Sequence, residues 1–153
     1  MIEFRKATTE DINTLAKVRI DFLCEANQLT EEEKEVLLTA NRQYFTETMA
    51  DGSFVAWIAL DGADIAGTSG ITFYKVPPNA SCPTGKTAYI SNMFTYPRFR
   101  KQGIASRLFS LIVDEAKING YKKVLLNATD MGKPLYARFG FQDTAGDMFY
   151  YIK

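Results

Sequence analysis

No histidine occurs among the 153 residues. That excludes a histidine general base, a Ser-His-Asp triad and a His-ligated metal. Any proton transfer falls to tyrosine, carboxylate, cysteine, lysine, a chain terminus or water. Cysteine is nearly as scarce. Cys24 and Cys82 are far apart and lack metal-ligand neighbours, so they read as buried or idle thiols rather than a disulfide or a metal site. Net charge is missing too, since 18 Lys+Arg balance 18 Asp+Glu. No global field draws the chain to nucleic acid, and any charge effect is local. No apolar run is long enough to span a bilayer, and Met1-Ile2-Glu3-Phe4-Arg5-Lys6 lacks the apolar run of a signal peptide. Together these absences predict a cytoplasmic protein with no metal, no membrane and no nucleic-acid partner.

What is present is ordinary globular material: 46% hydrophobic and 24% charged residues, enough for one domain over 1–153 with a sizeable core. Ile2 to Ala7 alternates like a strand. Thr8 and Asp11 resemble a capping box opening a helix whose apolar face is Ile12, Leu15, Ala16, Phe22, Leu23 and Ala26. Thr30-Glu31-Glu32-Glu33 opens a second helix with acids at the positive end of its dipole. Phe54 to Leu60 and Ile65 to Tyr74 form strands about an Asp61-Gly62 turn. Gly67 and Gly70 mark bulges or a close backbone approach. Val76 to Gly85 holds three of the five prolines; a hairpin does not need so long a connection, so this loop is expected to border a site. A strand over Thr87–Thr95, a long helix, a strand over Val124–Ala128, a short helix over Met131–Phe139 and a terminal hairpin complete the order. That order predicts an α+β fold: a mixed, mostly antiparallel central sheet of six or seven strands with about four helices on its faces.

The most informative stretch runs from Met93 to Arg107. Pro97 stops the strand. From Gly103 onward Ile104, Leu108, Ile112 and Ala116 fall at helical spacing. Between strand and helix lies Arg100-Lys101-Gln102-Gly103-Ile104-Ala105. The first N–H groups of a helix have no partner inside it, and the dipole puts partial positive charge there. Gly103 and Ala105 let a ligand approach the backbone. Arg98, Arg100 and Lys101 add charge. The sum is a pocket for a phosphate or pyrophosphate, set against the plainer reading of a basic loop before a helix. No Gly-x-Gly-x-x-Gly string is present, and Gly85-Lys86-Thr87 has Ala80 where a Gly-x-x-x-x-Gly-Lys-Ser/Thr loop carries its first glycine, which argues against a dinucleotide turn or a nucleotide triphosphate loop.

Arg-x-x-Gly-x-Ala after a strand resembles the pyrophosphate-binding motif of the GNAT superfamily of acyl-CoA-dependent N-acyltransferases. The string Tyr89 to Pro97, followed by Arg100 and Gly103, resembles that family's strand and loop. Leu135-Tyr136-Ala137-Arg138-Phe139-Gly140-Phe141 resembles a second family feature, in the right order and separation. The resemblance covers essentially the whole chain. It implies that two neighbouring parallel strands, Thr87–Thr95 and Val124–Ala128, splay apart around acetyl-CoA. Backbone groups of Met93, Phe94 and Thr95 would pair with the pantetheine arm. Arg100, Lys101, Gln102, Gly103, Ile104, Ala105 and Ser106 would hold the pyrophosphate. A backbone N–H near Phe94 would polarise the thioester.

By the same resemblance Tyr136 is the general acid that protonates the departing thiolate, a task suited to a phenol with an ordinary pKa of about 10. Asn127 resembles an asparagine that contacts CoA or orders water; a strand-end asparagine satisfying its own backbone is the alternative. Many family members carry a glutamate in the strand before the loop as base. Here that region is Ile90-Ser91-Asn92-Met93, without a carboxylate. Asp130 is the nearest acid, and it also suits a helix N-cap.

The implied activity is N-acetyl transfer from acetyl-CoA to a primary amine of a small molecule or peptide, by direct attack. The expected acceptor pocket lies between the two N-terminal helices and the proline-rich loop, with Phe22, Tyr44 and Phe45 as candidate lining. A homodimer is compatible with the sequence. A non-catalytic acyl-CoA sensor or interaction module is the competing class.

Overall fold

The computed structural model describes residues 1–153. Five strands and four α-helices follow one another along the chain: β1 (Ile2–Lys6), α1 (Ile12–Ala26), α2 (Glu31–Asp51), β2 (Phe54–Asp61), β3 (Asp64–Lys75), β4 (Lys86–Thr95), α3 (Ile104–Ile118), β5 (Lys123–Leu126) and α4 (Lys133–Phe139). Short 3-10 turns at Thr9–Asp11 and Pro97–Phe99 precede α1 and α3. The strands lie in sequence order across one sheet. The first three pairings are antiparallel and β4–β5 is parallel.

Local chemistry accounts for these elements. Thr30 Oγ1 accepts from the Glu33 N–H, and Glu33 accepts in return from the Thr30 N–H, 3.1 and 2.8 Å apart. That reciprocal cap satisfies two of the orphan donors of α2. On α3 the stripe Ile104, Leu108, Ile112 and Ala116 is buried throughout, as its spacing predicts. The helices cover both faces of the sheet. Leu15, Ala16 and Phe45 from α1 and α2 pack on Phe54, Ala56 and Ile58. Phe109, Ile112 and Ala116 of α3 pack on Ile71, Ala88 and Ile90, joined by Tyr136 of α4. Buried Glu115 on α3 accepts from Lys6 Nζ at 2.7 Å and Trp57 Nε1 at 3.1 Å, tying the helix to β1 and β2.

The sheet has five strands, not six or seven. The terminal hairpin is the difference. Its turn forms, with Thr144 Oγ1 donating to Asp147 at 2.7 Å, but Phe141 to Lys153 joins no ladder. Phe149, Tyr150, Tyr151 and Ile152 have the right residue types for a strand. They are exposed, and residue type alone makes no strand without a partner. Two boundaries also move: β5 ends at Leu126 rather than Ala128, and α4 begins at Lys133 rather than Met131. The stretch before α4 is a turn in which the Gly132 N–H donates to Thr129. No helix is long and apolar enough to cross a membrane.

Candidate active site

The site begins with a fault in β4. Thr68 of β3 stands opposite Phe94, and Gly70 stands opposite Ser91, so β4 carries one extra residue between these pairs. Asn92 takes a left-handed φ of 56°, and its carbonyl accepts from Thr68 Oγ1 at 2.8 Å. This is a β-bulge, which bends and twists the strand. The last β4–β5 pair is Ile90 with Leu126. Beyond it β4 runs on through Ser91 to Thr95 with no strand beside it on that edge. The parallel strands therefore part where the bulge lies.

The gap opens into a cavity of about 670 Å³. One wall is the start of α3. Arg100 is the last residue of the connecting loop whose N–H finds a carbonyl, that of Pro97. Every backbone N–H from Lys101 to Ser106 lacks an acceptor within the chain. Lys101 and Gly103 adopt left-handed φ values of 63° and 79°, which curls these amides into a concave row of donors. A Cβ at Gly103 would meet nothing within 4 Å. The glycine is there for its backbone angle and its open face.

Arg100 does not point into this row. Its Nε donates to the Thr95 carbonyl at 2.8 Å, and its Nη2 donates to both Glu25 carboxylate oxygens at 2.7 and 2.8 Å. The guanidinium also lies 5.8 Å from the centre of the Phe94 ring. Arg100 thus clamps the loop, the strand end and α1 together. Lys101 is exposed and supplies the free positive charge at the donor row.

The opposite wall carries Tyr136 on α4, packed on Phe109 with ring centres 5.0 Å apart. Burial pushes its phenol above the ordinary value, because an ionised oxygen loses hydration there. Its hydroxyl has no hydrogen-bond partner in the chain and is not sealed from solvent. A Cβ at Gly132 would come within 2.9 Å of that oxygen, so this glycine leaves room for the hydroxyl. Tyr136 is a protonated phenol whose O–H is unused by the fold.

Of the residues singled out from sequence, Met93, Phe94, Thr95, Arg100, Lys101, Gly103, Ile104, Ala105, Ser106 and Tyr136 line the one cavity. Gln102 and Asn127 do not. Gln102 turns back to the Arg98 carbonyl at 3.4 Å, and Asn127 is exposed just past β5. Asp130 also lies outside the lining, and Gly132 rather than Asp130 stands at the cap of α4. Phe22 lines the cavity; Phe45 is core and Tyr44 bonds to Thr72 Oγ1 at 2.6 Å. No residue of the proline-rich loop reaches the cavity. That loop closes on itself at the far end of the β3–β4 hairpin, where the Val76 N–H donates to Gly85.

Glu25 and Ala26, missed from sequence, line the cavity beside Phe22. Their i, i+3, i+4 spacing on α1 was the available signal. A second cavity, about 660 Å³, lies between α1 and Pro97. Its polar groups satisfy each other: Tyr96 donates to Asp21 at 2.5 Å and Arg98 to Asp64 at 2.7 Å.

The sequence model of the acetyltransferase (GNAT) domain matches residues 25–150. The chain belongs to the GNAT acetyltransferase family. It is an N-acetyltransferase. The fold resembles the crystal structure of a predicted acetyltransferase with acetyl-CoA from Clostridium acetobutylicum, with a TM-score of 0.90 and 33% identity over 99% of this chain and 96% of that one. It also resembles a GCN5-related N-acetyltransferase from Ralstonia eutropha, with a TM-score of 0.89 and 28% identity over 99% of each chain. Among curated proteins, the aminoglycoside N(6')-acetyltransferase type 1 of Serratia marcescens is 28% identical over 123 residues, covering 78% of this chain and 75% of that protein. In this GNAT acetyltransferase the splayed strands, the donor row and the tyrosine meet in one cavity.

Proposed function

We propose that this acetyltransferase moves an acetyl group from acetyl-CoA to a primary amine of a small molecule or peptide, with Tyr136 as general acid. One observation carries the reading: Lys101, Gly103, Ile104, Ala105 and Ser106, whose amides are unpaired, and Tyr136, whose hydroxyl is unbonded, line the same cavity. The amide row suits a pyrophosphate, with the α3 dipole and Lys101 adding positive potential. The unpaired edge of β4 from Ser91 to Thr95 suits an amide-bearing pantetheine arm laid along it as an added strand. The likeness to a structure with acetyl-CoA supports the same donor.

The amine nitrogen bonds to the thioester carbon and the carbon–sulfur bond breaks. A β4 backbone N–H beside Phe94 stabilises the charge that gathers on the carbonyl oxygen. Tyr136 gives its proton to the departing sulfur. The amine proton passes to water, because Glu25 is the one carboxylate lining the cavity and Arg100 already holds it, and water returns a proton to the Tyr136 oxygen for the next turnover. Burial of the phenol keeps its proton in place through neutral pH and above.

Tyr136→Phe tests this directly. The ring keeps its packing on Phe109, so acetyl-CoA affinity is expected to stay within about twofold. Turnover is expected to fall about a hundredfold or more, the usual worth of a positioned acid. Unchanged turnover would remove Tyr136 from the chemistry.

A further inference from the structure

Arg19 on α1 is half-buried and has no anion to hold. Burial lowers its pKa, and the ionisable groups near enough to act on it are Tyr89 of β4 and Tyr44 of α2, with no carboxylate among them. The carboxylates of α1 are engaged elsewhere: Asp21 accepts from Tyr96, and Glu25 accepts from Arg100. A guanidinium partly withdrawn from water without a counter-charge costs stability, and an anion from outside the chain would offset that cost.

Its surroundings say where that partner sits. The guanidinium lies 5.7 Å from the centre of the Phe22 ring. Phe22 lines the acetyl-CoA cavity and packs edge-on against Phe94, with ring centres 5.7 Å apart. On the sheet, Tyr89 stands opposite Thr72, whose hydroxyl bonds to Tyr44. Arg19 thus stands beside a polar surface of two tyrosines, on the same side of the sheet as Phe22. One positive charge beside hydroxyl groups matches a monoanion. The planar guanidinium donates in a fork that fits a carboxylate.

We propose that Arg19 binds the carboxylate of the acceptor, which makes the substrate class an amino acid or another amine bearing a carboxylate rather than a polycationic amine. This rests on the transfer reaction proposed above. A polycation such as an aminoglycoside needs unpaired acids, and the cavity has none: its Glu25 is paired.

Binding tests the inference separately from turnover. N-acetyl amino acids, the products of such a reaction, are titrated by calorimetry into the protein with saturating CoA, alongside their C-terminal amides. The side chains span small, acidic and aromatic types. The free acid of the best binder is expected to bind at least about tenfold more tightly than its amide, the worth of one charge-assisted hydrogen-bonded pair. Arg19→Gln should erase that difference, and Arg19→Lys should keep part of it, with CoA affinity unchanged in both. Equal binding of acid and amide, binding of neither, or a difference that survives in Arg19→Gln overturns the assignment. Thiol release from acetyl-CoA distinguishes the two proposals. Release with amines irrespective of a carboxylate contradicts the role of Arg19 and leaves the transfer standing. Acid-selective binding without release from any amine supports Arg19 and contradicts the transfer.

Discussion

Asp11 serves two masters at the entry to α1. Its carboxylate takes two hydrogen bonds from Arg5, both at 2.8 Å, and one from the Thr8 N–H at 2.8 Å. Arg5 first, and Thr8 after it, hold the carboxyl below its ordinary pKa against the opposing effect of burial. A carboxyl depressed in the folded state stabilises the fold above its unfolded pKa of about 3.9, and that stability is lost as pH falls through the lower folded value. Asp11→Asn is therefore expected to cost about 1–2 kcal/mol at pH 7. The gap from the wild type should narrow below about pH 4 in denaturant titrations at several pH values; a gap that is constant with pH would contradict the pairing. Thr8 and Asp11 were legible as a cap because the spacing is local. Arg100 was legible as a motif residue, yet its partner was not, because Glu25 lies 75 positions away in sequence.

At the scale of elements, β4 and α3 carry the site, and they differ in how openly the sequence declares them. The α3 stripe is periodic, so Ile104, Leu108, Ile112 and Ala116 announce their face. The bulge is quiet, because Asn92 is no glycine: asparagine tolerates a left-handed φ better than most residues but does not by itself mark one within a strand. Gly67 gives the indirect sign. A Cβ there would stand 2.6 Å from the Phe94 carbonyl oxygen, a backbone atom that cannot swing aside. Gly67→Ala is expected to cost about 1–3 kcal/mol and to push β4 away just where acetyl-CoA is proposed to lie. Thermal melts and acetyl-CoA titration of that variant should show both a lower midpoint and weaker binding. Unchanged affinity in a folded variant would detach the position of Phe94 from binding.

For the whole molecule, two layers of helices hold one sheet whose parallel pair opens at a bulge, and the proposed transfer is placed in that opening. The class, the element order and the motif loop could be read from the chain, since each rests on short-range pattern. The strand count could not. A C-terminal run such as Phe149 to Ile152 has strand-forming residues, but pairing is a tertiary fact. Nor could the clamp of Arg100 or the isolation of Arg19 be read, since both depend on what the fold brings near. The most direct test of the central claim is thiol release from acetyl-CoA across a panel of amines, amino acids and peptides, with acetyl-CoA binding measured in the same samples. The account predicts saturable binding, with release that depends on an acceptor amine. Acetyl-CoA that neither binds nor is consumed with any acceptor would contradict it, and would mean that the free amides from Lys101 to Ser106 hold something else.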